Sequence, residues 1–374
     1  MRQAMLSHSA AGMILNTEYH YVDHLVPLCS ILDIPLVVTE QEMADQIREF
    51  YPPLNICLIE NYTDLPSYIA DHFDVVFYCY IRMVFDEIFF FQQKARNKKI
   101  HTIWCPHGNS DKGQHHLFFE LLRDEGYALL YGEQMLDVFK EKEVLQKLKE
   151  YRLIGNFRKA FYKKNKTFYD NLVKSKIVKY LPENKKTILY APTWKDKESS
   201  TSFYDAALLI VEKLPDEYNL IIKPHPNILL RDPAFMEKFS LLCENRQNTL
   251  LINDFPTIYP LLDYIDIYIG DHSSVGYDCL SFNKPMFFLN QNERDPYLDR
   301  GAYLHRCGTE IKKHQYADIY SIIEAFLPSD FSHFHEIRNK MAQYCFGPEK
   351  EIEEIKKSIE SLLSTLPDKE LNFF

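Results

Sequence analysis

Short apolar runs alternate with longer helical patterns along most of the chain, and this alternation leaves few folds open. In the first half the strand-like runs are 36–39, 55–59, 75–79, 100–105 and 127–131, with helical patterns at 19–32, 41–50 and 85–94. In the second half the runs 187–190, 219–222, 249–252, 265–270 and 285–289 are interleaved with helical patterns at 204–213, 234–244, 274–281, 317–326 and 349–363. Strands that alternate with helices predict βαβ units and mainly parallel sheets, an α/β class. At 374 residues the chain is long enough for two such domains.

The two halves meet in a basic stretch. Arg158, Lys159, Lys163, Lys164, Lys166, Lys174, Lys176 and Lys179 are interleaved with Phe157, Phe161 and Phe168, and Asp170 is the one acid among them. The boundary is placed at 165, giving domains 1–165 and 166–374, with the last helix expected to pack back on the first. One reading of the stretch is a solvated linker with its aromatics in the core. The other is an interfacial patch whose lysines meet an anionic membrane and whose phenylalanines enter the headgroup layer.

Charge and cysteine usage exclude several classes. A net charge of −10 argues against a general nucleic-acid binder, so an anionic ligand must meet a local positive site. None of the eight cysteines lies two or three residues from another, which removes zinc knuckles and redox pairs and fits a reducing cytoplasm. The N-terminus lacks a signal-peptide pattern, and no apolar run is long enough for a membrane span. With only 11 glycines, Gly-rich phosphate loops are not the main device.

Three strand ends carry chemistry. Trp104-Cys105-Pro106-His107-Gly108-Asn109-Ser110-Asp111-Lys112 follows an apolar strand, where open α/β sheets place ligands. Here Gly108 permits close backbone approach and His107 can take a proton, or else the segment is a turn with a hydrogen-bonded histidine. Lys223-Pro224-His225-Pro226 is either a proline turn or a rigid loop offering a charge and a directional donor to a diphosphate. Asp271-His272-Ser273-Ser274 runs from a strand into a helix start, where a serine cap and phosphate binding are compatible. Tyr190-Ala191-Pro192-Thr193 ends a further strand. His115 and His116 find no third ligand at a suitable spacing, so no metal and no cofactor is expected.

In this order the motifs resemble the CDP-glycerol glycerophosphotransferase family, over about residues 100–290. The likeness rests on His107, Gly108 and Lys112; on Tyr190 to Thr193; on Lys223, His225 and Pro226; and on Asp271, Ser273, Ser274, Asp278, Lys284 and Pro285. His272 stands where the family has Tyr, and Gly270 and Asn109 where it has Thr. The resemblance implies a GT-B-type fold of two facing Rossmann-like domains, with the acceptor on the N-terminal side and the donor on the C-terminal side. It implies transfer of a polyol phosphate, glycerol phosphate first, from a CDP-activated donor to a lipid-linked, polyol or sugar acceptor, with release of CMP. His107 and His225 are then catalytic. Lys223, Asp271, Ser273, Ser274 and Thr193 bind the donor, and Gly108, Asn109 and Lys112 serve phosphate or acceptor. The site is cytoplasmic, at or near the inner membrane face.

Two other classes share parts of the pattern. A nucleotide-sugar transferase or epimerase would use the same fold. A serine hydrolase would use Ser274 in a near miss to a nucleophile elbow, with Asp295 or Asp299 and His305, but would leave Lys223 to Pro226 without a task.

Overall fold

The computed structural model describes residues 8–109, 119–195 and 198–367. They fall into two units: 8–107, 119–164 and 345–367 form the first, and 108–109, 165–195 and 198–344 form the second. The chain therefore changes unit at the His107–Gly108 peptide bond, after Lys164, and again before Cys345.

The first unit is built from β1 (Ala10–Ile14), α1 (Val22–Leu32), β2 (Leu36–Val38), α2 (Gln41–Phe50), β3 (Ile56–Leu58), α3 (Leu65–His72), β4 (Val75–Tyr78), α4 (Arg82–Ala95), β5 (His101–Trp104), β6 (Tyr127–Leu130), α5 (Glu133–Glu141), β7 (Glu150–Leu153) and α6 (Phe157–Lys164). Its sheet runs β3-β2-β1-β4-β5-β6-β7, and every pair is parallel. A parallel strand covered on both faces must be apolar at nearly every position, as Val75–Tyr78 is.

Three strands escaped the sequence reading, for two reasons. Central β1 reads Ala-Ala-Gly-Met-Ile, a run with weak strand propensity. Its small residues are what let α1 pack close: a Cβ on Gly12 would lie 2.3 Å from Cys29 Sγ. Strands β7 and, in the second unit, β13 (Thr309–Lys312) close the sheet edges and stay partly exposed, so their charged residues mask the apolar signal.

The second unit contains α7 (Lys166–Lys176), β8 (Lys186–Ala191), α8 (Phe203–Glu212), β9 (Tyr218–Ile222), α9 (Pro226–Arg231), α10 (Pro233–Glu244), β10 (Thr249–Leu251), α11 (Tyr259–Tyr264), β11 (Ile267–Gly270), α12 (Ser274–Cys279), β12 (Met286–Asn290), β13, α13 (Ile319–Phe326) and α14 (Asp330–Phe346). Its sheet is also parallel throughout, in the order β10-β9-β8-β11-β12-β13. Period-2 alternation sends Ile188, Tyr190, Leu220, Ile222, Ile267, Ile269, Phe287 and Leu289 to one face. There they meet Phe203, Ala207 and Ile210 of α8, Phe239 of α10, and Ile319 and Ile323 of α13. The last helix, α15 (Ile352–Leu363), belongs to the first unit and packs on α1, α6 and β7.

The basic stretch requires a correction. Phe157 and Phe161 are 1% and 4% exposed, so neither can enter a headgroup layer. Arg158 is equally buried and pairs with Asp23, which also accepts from Tyr51 Oη at 3.0 Å. Lys159 and Lys163 both hold Glu349, which keeps that carboxyl down at about 2. Lys166 bridges Asp170 and Asp263. Half of the apparent patch is thus core or already matched by acids.

In the second unit a buried ion pair within α14 fixes the arginine that ties this helix to Asn283. Arg338, with no exposed side-chain surface, donates to both oxygens of Asp330, at 3.1 and 2.6 Å, and to Asn283 Oδ1 at 2.6 Å. Removing one member of such a pair leaves the other charged and buried, at a cost of about 3–5 kcal/mol. Arg338→Ala is predicted to lower the urea midpoint of the second unit by a corresponding amount. A loss under about 1 kcal/mol would show that α14 is held by its apolar contacts instead.

Candidate functional site

Open parallel sheets bind ligands outside the carboxyl ends of their strands, where the strand order reverses. In the second unit that reversal lies between β8 and β11, and in the first between β1 and β4. The sequence-predicted residues of the second unit cluster at its reversal.

Asp271 follows β11 and has no solvent exposure. One carboxylate oxygen accepts the Thr193 N–H at 2.8 Å, from the loop after β8. The other accepts the Ser202 N–H at 2.8 Å and the Ser202 hydroxyl at 2.9 Å. Tyr190 Oη lies 2.8 Å from the same hydroxyl, and Thr201 Oγ1 donates to Thr193 O at 2.7 Å. Both oxygens of Asp271 are thus engaged by the loop after β8, which ties that loop to its own. Ser202 and Thr201 were missed in the sequence; the hydroxyl run Ser199 to Ser202 after the Tyr190–Thr193 strand end was the available signal.

Ser273 caps α12, accepting the Val275 N–H at 3.4 Å. The neighbouring Ser274 is only half-buried. Gly108 lies against it: at φ +137° and with a Cβ position 2.9 Å from Ser274 Cβ, no other residue fits there without strain. Asn109 is buried beside it, and Lys112 lies outside the described residues.

His225 caps α9, where its Nδ1 accepts the Asn227 N–H at 3.1 Å. An accepting Nδ1 places the proton of the neutral ring on Nε2, which is then a donor suited to an anionic oxygen. Trp194 packs near the ring at 6.1 Å and carries the Arg231 guanidinium over its own face at 4.4 Å. Beside them opens a cavity of about 380 Å³ lined by Lys195, Tyr204, Asn227, Ile228, Arg231 and Asp232. Lys223 places its ammonium 2.6 Å from Phe255 O, which uses one of its three N–H donors.

The residues that depart from the family pattern have local reasons. A side chain at Gly270 would collide with the Tyr268 hydroxyl, 2.1 Å from its Cβ position. His272 donates from Nδ1 to Gly301 O at 3.0 Å and stacks on His305 at 4.4 Å. These contacts also remove the hydrolase arrangement. His305 is buried between His272 and Phe288 and shares no hydrogen bond with Ser274 among the described residues. Asp299 binds Arg294 and the Gly301 N–H, while Asp295 caps the turn at Tyr297.

In the first unit, the reversal between β1 and β4 is closed by Tyr80, whose hydroxyl accepts the Leu15 N–H at 2.7 Å and donates to Leu15 O at 3.0 Å. His107, after β5, presents its ring to Tyr21 at 5.1 Å and to His20 at 5.8 Å. Burial, reinforced by His20, pushes His107 down to about 3, and burial pushes His20 down to about 4. Both rings are neutral at neutral pH, so His107 keeps an unprotonated ring nitrogen, although the burial that keeps it neutral also makes its protonated form costly. His20 was not anticipated because β1, the strand that positions it, was not recognised.

A profile of the CDP-Glycerol:Poly(glycerophosphate) glycerophosphotransferase family matches residues 157–327. Over these residues, somewhat less than half of the chain, the sequence is similar to that family. The teichoic acid glycerol-phosphate primase of Bacillus spizizenii is 29% identical over 175 residues, covering 46% of this chain and 42% of the relative. The teichoic acid glycerol-phosphate transferase of Staphylococcus aureus is 29% identical over 155 residues, covering 39% of this chain and 36% of the relative. The chain thus matches less than half the length of these curated relatives. A structure of the wall teichoic acid polymerase TagF superposes with a TM-score of 0.69 at 14% identity, over 95% of this chain and 88% of that one. The fold is accordingly of the GT-B type. The UDP-GlcNAc 2-epimerase of Neisseria meningitidis shares that fold at a TM-score of 0.61 and 14% identity, over 95% of this chain and all of that one. Thr193, Lys223, His225, Asp271, Ser273 and Ser274 lie inside the glycerophosphotransferase match, and His107 lies before it.

The Asp271 bonds generate a prediction. Asn in its place keeps the shape but presents an amide donor to groups that themselves donate. Asp271→Asn should destabilise the second unit by about 2–4 kcal/mol. Urea melts that find full stability would deny the carboxylate this organising role.

Proposed function

We propose that the chain transfers a polyol phosphate, glycerol phosphate first, from a CDP-activated donor to an acceptor hydroxyl and releases CMP. The observation that carries this reading is the coincidence of the family match with the strand-order reversal of the second unit. Lys223, His225 and the Ser273–Ser274 helix start all stand at carboxyl ends of that sheet, inside 157–327. The shared fold alone would suit a nucleotide sugar equally well; the family match favours the CDP-polyol.

In this reading the acceptor oxygen attacks the phosphorus that bears the polyol. Its proton passes to a ring nitrogen of His107, the new P–O bond forms, and the bond to the bridging oxygen breaks. CMP departs with that oxygen and its electron pair. Charge spreads over the phosphate oxygens during transfer, so positioned donors matter more than covalent help. The Nε2–H of His225, the Lys223 ammonium and the N–H groups at the start of α12 are such donors. Asp271 acts behind them by fixing their loops, and Thr193 through its backbone. Gly108, Asn109 and Lys112 serve phosphate or acceptor.

Acceptors of this chemistry are lipid-linked, or polyol or sugar chains, which would bring the protein to the cytoplasmic face of a membrane. Attachment through 157–179 would then rest on charge at the exposed Lys164, Lys174, Lys176 and Lys179, with Phe168, half-buried, the phenylalanine of the stretch left near the surface.

His107→Ala is expected to reduce turnover by roughly 10²–10⁴-fold and to leave CDP-glycerol affinity within about twofold of wild type. His225→Ala is expected to weaken that affinity, because its contact is made to the donor itself. Near-normal turnover of His107→Ala would remove it as the base, and unchanged affinity of His225→Ala would move the diphosphate elsewhere.

A further inference from the structure

The first unit holds a polar pair that the proposed reaction does not yet use. A short helical turn, Tyr19–Tyr21, follows β1 and carries Glu18, His20 and Tyr21 to the strand-order reversal. His20 Nδ1 lies 3.3 Å from Glu18 Oε2, and the His20 ring meets the His107 ring edge-on, with 78° between their planes. Tyr21 completes the wall, set edge-on against both His107 and Tyr80. His20 is neutral at neutral pH, and a carboxylate 3.3 Å from Nδ1 favours the tautomer that carries its proton on that nitrogen.

We propose that Glu18 and His20 are positioning residues for His107: Glu18 fixes the tautomer and rotation of His20, and the His20 ring in turn orients the His107 ring that receives the acceptor proton. The proposal rests on His107 being the base. The proton balance is unchanged by it. One proton leaves the acceptor hydroxyl for His107, while His20 and Glu18 keep the proton they already share.

The surroundings favour this role over a charged one. The groups facing the pair are Tyr21 on its own turn, Cys79 and Tyr80 from the loop after β4, His107 from the loop after β5, and His24 from α1. Arg158 stands behind His24 on α6, paired with Asp23. Glu18 is the anion among the groups in direct contact with His20, and burial raises its own pKa. A protonated His20 would repel a protonated His107, so the base works only while His20 stays neutral.

Three variants test the pair: His20→Phe, which keeps a ring without nitrogens, Glu18→Ala, and the conservative Glu18→Gln, whose carbonyl can still accept the Nδ1 proton. With CDP-glycerol as donor, the first two are expected to lower kcat roughly tenfold to a hundredfold at unchanged donor KM, as for other groups that orient a working imidazole, and Glu18→Gln to recover part of that loss. Removing the His20 ring nitrogens also removes a neighbour that lowers His107. The acid limb of kcat against pH should therefore move to higher pH in His20→Phe. Imidazole NMR of His107 should show the same upward shift and a changed tautomer balance, with His20→Gln as a second variant if the Phe variant fails to fold. Wild-type kcat together with an unchanged His107 titration and tautomer would overturn the proposal. If His107→Ala retains activity, the parent reading fails, while the NMR readout still decides whether His20 and Glu18 control the ring.

Discussion

A carboxylate shut away from water needs partners at both oxygens, because an unanswered buried charge is among the most costly features a fold can carry. Asp271 is such a group, and the second unit is arranged around it. Its bonds to Thr193 and Ser202 tie the loop after β8 to the loop after β11, on the two sides of the strand-order reversal. Ser273 and Ser274 follow two and three residues later, so the placement of the helix start depends on the same carboxylate. Asp271 faces the protein, and the donors proposed to meet an anion are the histidine of the Lys223–Pro226 loop and the start of α12.

The first unit closes its own reversal with a hydroxyl rather than a carboxylate. A tyrosine hydroxyl, Tyr80, answers both backbone groups of Leu15 and closes the reversal between β1 and β4. The ionisable residues gathered there, His20, Tyr21 and His107, are all held in their neutral forms by burial. A neutral imidazole in a dry setting can take a proton, whereas donors that hold a diphosphate must present N–H groups or positive charge. In the proposed reaction the first unit would supply the base and the second the donors that hold the diphosphate.

Most of the sheet architecture was legible because fully buried parallel strands write themselves as unbroken apolar runs, as at Val75–Tyr78 and Met286–Asn290. Strand β1 was not legible, since close packing on α1 selected Ala and Gly over the β-branched residues that announce a strand. That single omission hid Glu18 and His20, which only the position of β1 makes meaningful. The motif residues of the second unit were found, but their tasks were not all readable. Whether Asp271 points at a ligand or inward depends on Ser202, a tertiary partner far along the chain. The basic stretch was ambiguous for the same reason, because Glu349 and Asp23, which match its cations, are distant in sequence.

The proposed reaction moves a polyol phosphate from a cytidine-activated donor. The most direct measurement incubates the protein with CDP-glycerol, CDP-ribitol and UDP-GlcNAc in turn, with a glycerol phosphate oligomer as acceptor, and follows the released nucleotide. The proposed reaction yields CMP from a CDP-polyol, with the acceptor lengthened by one polyol phosphate for each CMP formed, and no turnover of UDP-GlcNAc. Release of UDP from UDP-GlcNAc, with both CDP-polyols left intact, would contradict it.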